Sequence, residues 1–271
     1  MADEKDMGAG AADGVAEGPT RTNAAGASDA APETAQDRLR LILGDEGLER
    51  LAAARVMVVG LGGVGSSCAE ALARGGVGHL VLLDRDVVAL SNINRQALAF
   101  VSTVGRPKAD VMAAMVRDIN PEADMVAQQV FLEKDRLAEQ LDEFGPVDYV
   151  VDAIDTVAQK LRLAAWCAER GYPELSAMGG ANKLDPCRLR FARIEDTVNC
   201  PLARVMRKEC RRRGIRGLQV LFSDEEPVRM EAISDERWMR EGSLLGTMSY
   251  LPPIMGQMLA SRVIRNLLGW A

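Results

Sequence analysis

Three glycines spaced as G-x-G-x-x-G, Gly60, Gly62 and Gly65 with Gly63 between them, follow the apolar run "RVMVV" and open a stretch of helical periodicity. Glycine there lets backbone N–H groups and a helix N-terminus approach a phosphate. Asp84 ends the next apolar run, where a carboxylate accepts hydrogen bonds from ribose hydroxyls. These features specify a nucleotide without saying which, since a nicotinamide dehydrogenase carries both. Cations discriminate further. Arg95 lies in the polar loop "SNINRQ", and Arg106 and Lys108 flank Pro107 at a helix start, where the helix dipole disfavours positive charge. Three cations behind an adenosine-type pocket suit a triphosphate better than the single pyrophosphate of NAD, because charge developing in phosphoryl or nucleotidyl transfer must be neutralised. "VVDAIDT" then brings Asp152 and Asp155 to the end of another strand. Asp155 either caps the helix that begins there or organises magnesium and the reacting phosphate.

The elements that must position these residues follow from periodicity. Strands "RVMVVG", "HLVLLD", "DMVAQQV", "VDYVVDA" and "ELSAMGG" alternate with helices expected at 64–74, 107–118, 133–143 and 156–170, the last closed by Gly171. Such alternation predicts an α/β fold with a doubly wound, mainly parallel Rossmann-like sheet and a ligand site at its carboxyl edge. From 187 onward the pattern is mixed: a strand "CRLRFARI", a basic helix at 200–213, a strand "GLQVLFS", an acidic stretch at 223–241 and an apolar final helix. Upstream, "RLRLILGDEGLERLAAA" has helical spacing, and Gly44 and Gly47 are expected to divide it into short helices.

Residues 1–35, rich in Ala and Gly, read as a disordered tail, with 36–271 as the folded domain and 181–271 as its substrate-facing C-terminal part. The tail lacks the basic start and apolar run of a signal peptide. The apolar C-terminal stretch is interrupted by Pro252 and Pro253 and followed by Arg262 and Arg265, so a buried helix is expected rather than integral membrane insertion. The five cysteines form no CxxC pair, which argues against a disulfide framework or a tetrathiolate zinc site and fits a cytoplasmic protein with reduced thiols. His79, the single histidine, starts a strand and reads as structural.

"GLGGVGSSCAEALARGGVGHLVLLDRD", "SNINRQ", "VGRPKADVM" and "DAIDT", in this order and spacing, resemble the ATP-dependent adenylating enzymes related to ubiquitin-activating enzyme. The resemblance implies that the glycine loop and Asp84 hold ATP and that Asn94, Arg95 and Lys108 contact its phosphates. It gives Asp155 the magnesium ion and the α-phosphate. Arg38 resembles the family's N-terminal arginine that reaches a phosphate, supplied across a dimer. The implied reaction is attack of a carboxylate on the α-phosphate, giving an acyl-adenylate and pyrophosphate.

The carboxylate has two candidates. Family members that adenylate ubiquitin-like sulfur-carrier proteins usually carry two CxxC pairs, absent here; a thioester route would need an exposed thiol such as Cys187 or Cys200, with Cys68 and Cys167 expected in the core. "GGANKLDPCRLRFARIEDTVNCPLARVMRKECRRRGI" instead resembles the branch that dehydrates threonylcarbamoyladenosine in tRNA. Residues 199–217 hold seven Lys or Arg and one Glu in a chain of net charge −6, with Arg204, Lys208 and Arg211 sharing a helix face beside Arg207, a pattern that favours a polyanion. In that branch an activated carboxylate is closed by a neighbouring ureido group, and tethering reaches effective concentrations of ~10⁵ M or more, so no enzyme thiol is needed. A homodimer is implied by the resemblance, and a sulfur-transfer protein is a candidate partner. A dinucleotide-dependent oxidoreductase or a silent nucleotide sensor is the reading from a different class.

Overall fold

Apart from Arg55, His79 and Asp84 at their ends, strands β1 (Arg55–Val59) and β2 (His79–Asp84) are built of Val, Leu and Met, the composition of strands covered on both faces. They sit centrally in a seven-stranded sheet of order β3-β2-β1-β4-β5-β7-β6, completed by β3 (Asp124–Gln129), β4 (Tyr149–Asp152), β5 (Glu174–Ala177), β6 (Leu189–Arg193) and β7 (Gln219–Ser223). All neighbours are parallel except β6 and β7, whose antiparallel pairing is the mixed edge expected from the change of pattern after residue 187. This computed structural model describes residues 33–133, 135–229 and 245–270, and the fold is that of the unit Ala35–Ala271. The expected tail, residues 1–32 in particular, and positions 230–241 of the acidic stretch lie outside the described residues.

Seven helices are described: α1 (Asp37–Ala53), α2 (Gly63–Arg74), α3 (Lys108–Ile119), α4 (Leu137–Asp142), α5 (Val157–Arg170), α6 (Pro201–Arg213) and α7 (Leu251–Leu267). Strand side chains alternate between faces, so Val56 and Val58 of β1 join Leu72, Met112, Met255 and Leu259 in one core layer. Met57 and Val59 join Leu141, Leu163 and Trp166 in the other. A third cluster seats Met206 and Cys210 of α6 on Leu161 of α5 and Val220 of β7.

Two expectations change in detail. Only Gly44 breaks the first helix, at φ 66°, whereas Gly47 stays helical and buried, packed where an added Cβ would lie 3.6 Å from Leu268 Cδ2. The helix expected at 133–143 shortens to six residues. Among the described residues no helix is long and apolar enough to cross a membrane; the C-terminal stretch is α7, buried through Leu251, Met255, Leu259 and Val263.

Candidate active site

A cavity of about 560 Å³ opens at the carboxyl edge of the sheet, between the ends of β1, β2, β4 and β5. Its floor is the turn from β1 into α2. Gly60 holds φ +90°, and a Cβ there would lie 2.7 Å from the Ala153 carbonyl oxygen; a Cβ on Gly65 would lie 1.7 Å from that of Gly60. Neither position tolerates a side chain, so the spacing encodes a backbone path. Gly62, the residue before α2, has no capping side chain, and first-turn N–H groups of a helix have no intrahelical acceptor. Gly62, Gly63 and Val64 line the cavity, which leaves those donors and the positive end of the helix dipole for an anion.

Asp84, in the cavity wall, accepts from Leu61 N at 2.5 Å through Oδ2 and from Asp86 N at 2.7 Å through Oδ1. Its remaining lone pairs are those available to a ribose. Lys108 begins α3 yet is almost fully buried, its ammonium 3.1 Å from Asp86 Oδ2. The carboxylate offsets the unfavourable helix-end placement noted from the sequence. Arg95 lines the cavity and donates through Nη1 to Ser91 O (3.1 Å) and Asn94 Oδ1 (2.9 Å). Asn94 itself does not line the cavity; its amide donates to Thr247 O, so it ties Arg95 to the segment ahead of α7. Gly65 is likewise behind the lining, and Arg38 is exposed on α1, outside it.

Asp155 reaches the cavity from the loop after β4. Thr156, not Asp155, occupies the position ahead of α5, and Asp155 Oδ1 accepts from the Thr156 hydroxyl at 3.1 Å. Asp152 has a different place. Fully buried, it accepts from Lys160 Nζ at 2.9 Å, Ser176 Oγ at 2.7 Å and Ile154 N at 3.0 Å, while Lys160 Nζ also donates to Ile154 O at 2.9 Å. Asp152 and Lys160 thereby fix the loop that presents Asp155. Glu174 lies behind this pair, and burial first, then the charge of Asp152, holds its carboxyl well above the usual carboxylate range.

Two wall residues were not singled out from the sequence, although Gln96 ends the motif "SNINRQ" and Lys183 lies within "GGANKLDP". Gln96 presents a buried amide oxygen with no partner among the described residues, an acceptor left for a ligand donor. Lys183, 1% exposed, donates to the carbonyls of Asn199 and Glu225, and burial lowers its pKa. Cys200 lines the cavity but is 5% exposed, and its sulfur caps α6 by accepting from Ala203 N; Cys187 is exposed and outside the lining. Cys68 and Cys167 are buried in helices, and burial raises both thiols far above their usual range. His79 pairs with Asp124 across β2 and β3, at the opposite end of β2 from Asp84.

On α6, Arg204, Lys208 and Arg211 are exposed, whereas Arg207 is half-buried with its guanidinium donating to the carbonyl and hydroxyl of Thr197. The basic helix is continuous with the cavity: Cys200, Pro201 and Leu202 at its start form part of the wall.

Fold and cavity together define a nucleotide-binding α/β protein of the adenylating type. The ThiF family model matches residues 35–271, and the chain belongs to that family. It is 43% identical over 239 residues to the tRNA threonylcarbamoyladenosine dehydratase of Bacillus subtilis, covering 85% of this chain and 93% of the relative. The Escherichia coli molybdopterin-synthase adenylyltransferase is 35% identical over 175 residues, 59% of this chain and 68% of that protein. Among solved structures, E. coli tRNA N6-threonylcarbamoyladenosine dehydratase in complex with ATP superposes with a TM-score of 0.75 at 30% identity, covering 88% of this chain and 98% of that one.

Proposed function

We propose that the chain is an ATP-dependent enzyme that dehydrates N6-threonylcarbamoyladenosine in tRNA. A threonine carboxylate oxygen attacks the α-phosphorus of ATP and pyrophosphate departs. The ureido group then attacks the activated carbonyl carbon and AMP departs, so one water is lost in sum. The observation that carries this reading is that one helix, α6, joins the nucleotide cavity at its first turn to Arg204, Lys208 and Arg211, which are exposed and have no ion pair among the described residues. The names of the B. subtilis and E. coli relatives support it.

In this reading the glycine loop and Asp84 hold ATP, Arg95 and Lys108 neutralise charge on its phosphates, and Arg204, Arg207, Lys208 and Arg211 face the RNA. Magnesium is an ion bound through one or two carboxylates together with substrate phosphates, and Asp155 brings a carboxylate to the cavity wall. Asp155 is the residue that would hold it, and the ion would supply charge neutralisation at the phosphates. Arg38 would come from a second copy in a homodimer; exposed Leu41, Ile42, Phe100 and Val101 offer apolar surface for that contact.

Incubation with ATP and bulk tRNA, followed by digestion to nucleosides and mass spectrometry, tests the activity. The expected result is loss of one water from threonylcarbamoyladenosine. An unchanged nucleoside, with pyrophosphate exchange driven instead by a sulfur-carrier protein, would replace this reading with carrier adenylation.

A further inference from the structure

We infer that a second concavity, at the far end of α6, is a subsite for one backbone phosphate of the RNA substrate; this rests on the tRNA reading above and specifies where the strand is gripped. The concavity, about 220 Å³, is walled by Arg207, Arg211 and Arg216 around the apolar side chains of Ile194 and Ile215. Its cations differ from the two arginines that end the same helix. Arg212 and Arg213 both pair with Glu209, which they hold below the usual carboxylate range. Arg211 and Arg216 are exposed, and their side chains have no hydrogen bond or ion pair among the described residues. Arg207 is already fastened through Nη1 to Thr197, the hydroxyl at 2.8 Å, so its guanidinium loses little freedom when a ligand arrives, and its other N–H groups have no partner among the described residues.

One carboxylate shares the wall. Glu195 Oε1 accepts from Gly217 N at 2.9 Å, which anchors the turn carrying Arg216. Three guanidinium groups against one carboxylate leave a surplus of positive charge in a recess. The fork of donors on each arginine matches phosphate oxygens, which a lysine point charge does not.

Position gives the recess its meaning. α6 has 13 residues, so its axis measures about 20 Å. Its first turn lies in the wall of the nucleotide cavity, and its last turn lies in the wall of the phosphate recess. The helix therefore acts as a spacer: the modified nucleoside enters at one end while a backbone phosphate several nucleotides away seats at the other. Phosphate contacts fix the register of a nucleic acid without reading its sequence.

The test is tRNA turnover and tRNA binding by the full chain, wild type against R211A/R216A, over a range of salt. The double variant should raise KM for tRNA about tenfold with kcat and KM for ATP unmoved. It should also make the slope of log affinity against log salt shallower by about one. R211K/R216K should restore the salt slope but only part of the affinity. R212A/R213A should have a smaller effect on KM; an equal effect would mean a diffuse field and overturn the subsite. If wild type turns over tRNA while R211A/R216A keeps its KM and slope, the subsite fails and the proposed function stands. If wild type neither binds nor alters tRNA, both fall.

Discussion

The two basic regions of this protein use their charges in opposite ways. Around the nucleotide cavity Arg95, Lys108 and Lys183 all have acceptors within the protein, and Lys160 behind them is paired with Asp152. On α6 and the turn after it, Arg204, Lys208, Arg211 and Arg216 stand in solvent with no ion pair among the described residues. A charge taken out of water must be paired and hydrogen-bonded, and pairing fixes its position before the substrate arrives. A charge left in water costs nothing to maintain and gains by releasing counterions from a polyanion. The first arrangement suits chemistry at one atom, the second suits gripping a large substrate.

The largest expected effect breaks the buried side of this contrast. Lys160→Met leaves Asp152 uncompensated at zero exposure and frees the Ile154 carbonyl, so stability in urea denaturation should fall by about 3–5 kcal/mol. Adding Asp152→Asn should recover part of that loss, since the buried charge is then gone.

A smaller effect separates the two regions by function. Lys108→Ala should lower kcat/KM by roughly 100-fold, the scale of one preorganised electrostatic donor, with tRNA affinity and its salt slope unchanged in a binding assay. A fall in tRNA affinity equal to that in catalysis would erase the division between the regions.

The smallest sharpens the electrostatics of the buried cluster. Because the folded-state pKa of Glu174 is raised, the folded protein holds a proton that the unfolded chain has released, and stability declines as pH rises from the ordinary carboxyl range to the raised value. Glu174→Gln should flatten that decline, seen as a melting temperature less sensitive to pH above the ordinary carboxyl range. An unchanged slope would mean that Glu174 does not set it.

Much of the fold was readable because it rests on local patterns. Unbroken Val and Leu runs marked β1 and β2 as strands covered on both faces, and Gly171, at φ 71°, closes α5 where expected. Helix ends were less readable, as at Gly47, because tertiary neighbours decide whether a glycine interrupts a helix. Within the site, the glycine spacing, Asp84, Arg95, Lys108 and Asp155 could be named in advance, and all but Gly65 of that group line the cavity. Asn94 and Gly65 lie one layer back. Gly65 shows why: the motif records where backbone passes against backbone, not which atoms face the ligand.

Other features had no sequence signal at all. Asp152, Ser176 and Glu174 meet because β4 and β5 are aligned with Asp152 opposite Ser176 and Val150 opposite Glu174. Nothing within either segment specifies that register. The amino-acid sequence by itself determined the strands, the phosphate turn and the concentration of cations near Arg207, since each is written in residues close along the chain. Only the tertiary structure decided which cations are spent inside the protein and which remain in solvent. That depends on which carboxylates and carbonyls from distant segments arrive within hydrogen-bonding distance.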